Sequence, residues 1–144
     1  MHQPLTADLN PADEVVAVYD RTGNPIGRAP RSVVYSGGLW HASAGVLVRT
    51  GDGSRIYVHR RTDTKAVFGG YHDCLAGGVV DPGETPQETA IREVGEELGI
   101  FGTADQPLQL TEIARKSWDG EWNNSPLRCH LFAFELRYDG PMAH

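Results

Sequence analysis

A mixed α/β domain, with many short strands around one well-marked helix, is what this sequence predicts. Three observations carry that reading. Runs of β-branched and aromatic residues recur along the chain, separated by turn signals such as "RTGN" and "TGDGS". One segment, Thr85 to Gly99, carries helix punctuation at both ends. The chain has 144 residues, 40% of them apolar, enough for one domain with a proper core.

Taken in order, residues 1–12 are polar, contain two prolines and read as a flexible leader; residues 13–144 read as a single domain. "EVVAVYDRTGNPIGRAPR" predicts two strands around a turn at Thr22–Asn24, where Gly23 and Asn24 tolerate the positive φ of a tight hairpin. "SVVYSGGLWHA" suits a short helix and a loop. "SAGVLVRTGDGSRIYVHRR" predicts a hairpin whose arms are Val46–Val48 and Ile56–Val58. A strand in "YHDCLAGGVV" follows, then the helix. "GTADQP" reads as a loop, "LQLTEIARKSW" as a strand, "DGEWNNSP" as a turn and "LRCHLFAFELRY" as a long strand.

Composition narrows the function. The formal charge is −6, which does not suggest a nucleic-acid surface but leaves room for a small phosphate-bearing ligand on a local basic patch. Cys74 and Cys129 are isolated thiols, which argues against a disulfide scaffold or zinc knuckle and fits a reducing cytosol. The N-terminus lacks a basic start and apolar run, and no apolar stretch nears the roughly 20 residues of a membrane span. The expectation is a cytoplasmic protein with no membrane partner.

The helix raises an electrostatic question. Thr85 and Glu88 have the spacing of a capping box, Pro86 takes the first helical position and Gly99 the left-handed stop. Ala90, Ile91, Val94 and Leu98 share a stripe expected to face the core. Glu93, Glu96 and Glu97 fall on the neighbouring stripe, with no lysine spaced to relieve them. Like charges so placed cost about 0.2–0.5 kcal/mol per pair. A solvated acidic face and a divalent-cation site, for which carboxylate oxygens are the preferred ligands, both account for them.

The residues upstream extend the pattern. From Gly78 the chain runs "GVVDPGETPQETAIREVGEELGI": Glu84 follows after five residues, and Arg92-Glu93 after seven more. Val94, Glu96-Glu97, Gly99 and Ile100 complete it, a match expected by chance on the order of 10⁻¹⁰ per starting position. Residues 78–100 therefore resemble the Nudix box. The resemblance implies the Nudix fold, a mixed sheet sandwiched between helices, and hydrolysis of nucleoside diphosphates linked to another moiety. By the same resemblance Glu93, Glu96 and Glu97 are the expected Mg²⁺ (or Mn²⁺) ligands, joined by the backbone carbonyl of Gly77. Glu84 and Arg92 are expected to form a structural pair. The general base is expected among the box glutamates, with Glu112, Glu121 and Glu135 as outside candidates.

A second stretch, "VHRRTDTKAVFGGYHD", resembles the isopentenyl-diphosphate isomerase-like branch of that family, as does His41 in "LWHASAGVLV". It implies that Arg61 and Lys65 meet the substrate's diphosphate. The isomerase itself needs a cysteine and a metal-binding histidine where this chain has Ala76 and Gly78; Cys74 lies two residues early. Hydrolysis is accordingly expected over isomerisation, with the isomerase and a non-catalytic nucleotide-binding module as the alternatives. His59 and His72 are further candidate ligands, and Trp118, Trp122 and Tyr71 could stack on a base. Family members usually continue past "LFAFELRY" with a strand and a helix, so a partner chain, such as a second copy in a homodimer, or a shortened form is expected at "DGPMAH".

Overall fold

Asp20 organises the first chain reversal. Its Oδ1 accepts hydrogen bonds from the backbone N–H groups of Thr22 (3.0 Å) and Asn24 (2.9 Å). Only Gly23 of the two turn residues takes a positive φ, 99°. The turn joins β1 (Val15–Tyr19) to β2 (Pro25–Pro30), paired antiparallel from Val15 opposite Pro30. The computed structural model describes residues 13–60, 72–73, 75–122 and 124–141.

A short helix, α1 (Arg31–Gly37), ends on Gly38 in the left-handed conformation and leads into β3 (Trp40–Arg49). Then come β4 (His59–Arg60), β5 (His72–Asp73), β6 (Leu75–Val79), α2 (Pro86–Leu98), β7 (Leu110–Trp122) and β8 (Ser125–Arg137). The principal sheet has six strands in the order β2-β1-β3-β8-β7, with β6 also on β3. β3 and β8 run parallel from Trp40 opposite Arg128 to Arg49 opposite Arg137. The other edge of β3 is shared by β6, at Ser43–Leu47, and the end of β1, at Trp40. β4 and β5 form a separate two-stranded ribbon.

Period-two alternation then makes two faces. Ala42, Ala44, Val46 and Val48 of β3 join Phe132, Phe134 and Leu136 of β8 beneath Ala90, Val94 and Leu98 of α2, all buried. His41 points to the opposite face and meets Tyr35 of α1 edge-on, ring centroids 5.4 Å apart. The sheet therefore lies between two helices, the predicted α+β sandwich.

Three local readings change. Ile56–Val58 does not form a regular hairpin arm: a single bridge joins Arg49 and Ile56, flanked by hydrogen bonds from the Thr50 N–H to the Arg55 carbonyl (3.0 Å) and from the Tyr57 N–H to the Val48 carbonyl (2.9 Å). "DGEWNNSP" is mostly strand, since the β7–β8 register runs on to Trp122 opposite Ser125 and leaves only a tight reversal, with Asn124 at φ 63°. Ile91 is 38% exposed; the core stripe of α2 instead includes buried Thr89 and Gly95, the latter lying against the Phe101 ring. Among the described residues no helix is long and apolar enough to cross a membrane.

Candidate functional site

Helix α2 is held at its N-terminus by the capping box the sequence announces. The Glu88 N–H donates to Thr85 Oγ1 at 3.1 Å and the Thr85 N–H to Glu88 Oε1 at 2.9 Å. Gly99 stops the helix in the left-handed region at φ 70°. The preceding "DPGE" is a tight turn: the Glu84 N–H donates to the Asp81 carbonyl at 3.1 Å, with Gly83 at φ 83°. That turn brings Asp81 and Glu84 to the same side chain on the helix.

The side chain is Arg92. Its Nε and Nη2 grip Glu84 at 3.0 Å each, Nη2 reaches Asp81 Oδ2 at 3.2 Å, and Nη1 reaches Glu93 Oε1 at 2.9 Å and Glu96 Oε2 at 3.4 Å. Thr89 donates its hydroxyl to Glu84 Oε1 at 2.8 Å. These hydrogen bonds, Arg92's first, hold the Glu84 carboxyl below the usual range, and Glu84 in turn pushes the Arg92 guanidinium up. Burial raises the Asp81 carboxyl, against the pull of Arg92.

Glu93 is 8% exposed although it is an acid. It fits because β6 offers glycine beneath it: a Cβ on Gly78 would lie 2.7 Å from Glu93 Oε1. Gly77, opposite Gly45 in the register, has no room for a side chain either, as a Cβ there would run into the Ala44 carbonyl. The two glycines therefore let a carboxylate and the β6 backbone approach more closely than any other residue pair would allow. Oε2 of Glu97 is shut off from solvent on the same stretch of helix, while the Glu96 side chain is 59% exposed and turned to Arg92.

Carboxylate oxygens over a glycine-cleared backbone are a hard donor set that suits a divalent cation. Glu93, Glu96, Glu97 and the Gly77 carbonyl are the groups that would hold it. Among the described residues no three acidic, histidine or cysteine side chains converge as a ready-made ligand set, and Glu96 Oε2 lies 3.4 Å from Arg92 Nη1. The helix thus does have a relieving cation, an arginine rather than a lysine. Asp81 and Thr89 are the participants the sequence reading left out; the "DPGE" turn signal could have flagged Asp81.

Other candidates lie elsewhere. Arg61, Lys65, Tyr71 and Cys74 fall outside the described residues, as do the side chains of His59 and His72. His41 is buried among Tyr35 and the sheet, and burial lowers its imidazole from 6.5 to about 4, so it is a neutral core group. Glu112 is held by Arg115 at 2.8 and 2.9 Å, and Glu135 lies between Arg49 and Arg137 at 2.8 Å from each. Trp118 and Trp122 are 54% and 41% exposed on β7.

The NUDIX domain family matches residues 39–143 of this chain. The chain belongs to the Nudix family. An uncharacterised Nudix hydrolase of Rhodococcus erythropolis is 99% identical over all 144 residues, which cover 78% of that protein. One of Streptomyces coelicolor is 42% identical over 94 residues, 65% of this chain and 51% of that protein. One of Pseudomonas aeruginosa is 40% identical over 120 residues, 83% and 66% of the two. The chain thus spans about half and two thirds of the length of the latter two relatives. Among solved structures, DR0079 of Deinococcus radiodurans matches 90% of this chain and 75% of its own at TM-score 0.66 and 24% identity. A MutT protein of Methanosarcina mazei matches 72% and 68% at TM-score 0.53 and 23% identity. These neighbours share the fold, and the sequence relatives mark the chain as one of the Nudix hydrolases. That kinship reaches the family and not the isomerase-like branch within it.

Proposed function

We propose that this Nudix protein is a divalent-cation-dependent pyrophosphohydrolase, cleaving a diphosphate linkage in a nucleoside diphosphate derivative or a similar small organic diphosphate. The observation that carries the reading is the seat of Glu93 on Gly78, with Glu97 one turn further along α2 and Arg92 bracing the helix to the Asp81–Glu84 turn. Bound there, Mg²⁺ or Mn²⁺ would screen the anionic diphosphate and lower the pKa of a coordinated water.

The chain's own residues do the rest. Arg92 keeps the Glu84 loop and α2 in register, so the carboxylates present one geometry to the substrate. A box glutamate accepts the proton of the attacking water. Arg61 and Lys65 are assigned to the phosphate oxygens, the guanidinium as a bidentate clamp and the ammonium as a mobile charge. Isomerisation of isopentenyl diphosphate is disfavoured: Ala76 is buried in the core and Gly78 carries no side chain, so no acid–base pair stands at those positions.

The reading is tested by phosphate release from nucleoside di- and triphosphates, dinucleotides, nucleotide sugars and isoprenoid diphosphates, with Mg²⁺ or Mn²⁺ and with chelator. Metal-dependent release from at least one is expected. No release from any by the folded protein would leave a nucleotide-binding module in its place.

A further inference from the structure

The β7–β8 hairpin brings two residues thirteen apart in sequence face to face: Ser117 opposite His130. Ser117 Oγ lies 2.8 Å from His130 Nδ1, and the other ring nitrogen, Nε2, lies 2.9 Å from the backbone carbonyl of Asp20. A carbonyl oxygen only accepts, so the Nε2 hydrogen is committed to Asp20. Nδ1 of the neutral ring is then the bare nitrogen, and the Ser117 hydroxyl donates to it. The serine is exposed at the surface, whereas the histidine is 4% exposed.

This is a nucleophile hydrogen-bonded to a base, with the base fixed by a third group. The imidazole is stacked on Trp40, centroids 4.6 Å apart and planes 20° from parallel, which fixes the plane of the ring. A cleft of about 440 Å³ lies next along the strands, lined by Tyr19, Phe132, Phe134 and Arg115 and by Glu84 to Gln87 at the start of α2; neither Ser117 nor His130 lines it. Arg115 and Phe132 are the next residues on the same face of β7 and β8, roughly 7 Å from Ser117 and His130 by strand geometry. The pair thus stands one strand step from a cleft with apolar and charged walls, and Ser117 supplies an exposed nucleophile.

We propose that Ser117 and His130 form a second, metal-independent reactive site that takes activated aryl esters and organophosphorus electrophiles. In the acyl case, Ser117 Oγ bonds to the ester carbonyl carbon while its proton moves to His130 Nδ1. The carbon–aryloxy bond breaks and the aryl oxide leaves with that proton, which returns His130 Nδ1 to its bare state. Water then attacks the acyl carbon and gives its proton to His130 Nδ1; the acyl–serine bond breaks, and Ser117 Oγ regains a proton. No oxidant or reductant takes part.

The test treats the full chain, in chelator so that phosphate chemistry at the helix is silent, with an aryl fluorophosphonate, followed by peptide mass spectrometry. An adduct on Ser117 is expected, at least about a hundredfold faster than on Ser54, an exposed serine without an imidazole partner, as a general base confers. Ser117→Ala removes it, and p-nitrophenyl acetate cleavage falls with it. His130→Gln slows it to the Ser54 rate; should that variant misfold, the Ser117-to-Ser54 ratio in the native chain still decides. Equal labelling of the two serines, no adduct on Ser117, or undiminished labelling in folded His130→Gln overturns the proposal.

Discussion

Two arginines each grip a glutamate through two guanidinium nitrogens, Arg92 to Glu84 at 3.0 and 3.0 Å and Arg115 to Glu112 at 2.8 and 2.9 Å. The tighter contacts belong to the pair with less structural consequence. Arg115 is 64% exposed on an edge strand, where water competes for both charges and an ion pair adds little. Arg92 is 30% exposed, sits between a turn and a helix, and touches four carboxylates rather than one. Distance alone does not rank ion pairs. What ranks them is how much water the surroundings exclude and how many separate elements the charge ties together.

The largest expected effect tests what that organisation is for. Glu97→Gln should lower metal-dependent phosphate release by about two orders of magnitude or more, the scale of a lost catalytic carboxylate, with an unchanged circular dichroism spectrum. An equal loss in Glu112→Gln would erase the contrast between the two regions.

Next comes Arg92→Ala, which strands the acids it serves. An unfolding free energy lower by about 2 kcal/mol in urea is expected, reduced from the buried-pair range because a third of the side chain meets water. The same variant should change the acid limb of stability. Arg92 holds the folded Glu84 carboxyl below its ordinary 4.5, so the pair stabilises above that pH and its contribution is lost as pH falls through the folded value. Thermal melts from pH 7 downward should show the native chain losing stability in that window, and Arg92→Ala losing less.

Gly78→Ala sharpens the point about backbone approach. A methyl 2.7 Å from Glu93 Oε1 must push the carboxylate aside, for about 1–2 kcal/mol of stability and a weaker metal response. At the small end, Glu112→Gln should leave the melting temperature unmoved, as should Arg115→Ala.

The same comparison shows what the sequence could disclose. The bounds of helix α2 were legible to the residue because cap and stop are local signals within Thr85–Gly99, inside the stretch that carries the Nudix box. The role of Gly78 as the floor under Glu93 was not, since it depends on β6 packing beneath the helix. Ile91 was misplaced because Gly95, which has no side chain of its own to read as apolar, is buried against Phe101 in its stead. Asp81 joined the cluster through a turn whose signal was present but unweighed. Ser117 and His130 were invisible for a different reason: their meeting depends on the β7–β8 register, which the turn sets and which runs unbroken from Trp122 opposite Ser125 to Ala114 opposite Ala133. Reading "DGEWNNSP" as a turn would have shortened that hairpin and hidden the pair.

The α2 carboxylates over Gly78 are the proposed divalent-cation site. Calorimetric titration of the chain with Mn²⁺, native against Glu93→Gln, tests it without reference to any substrate. The account predicts saturable binding by the native chain, weakened at least about tenfold in the variant. No binding by the folded native chain, or equal binding by both, would contradict it.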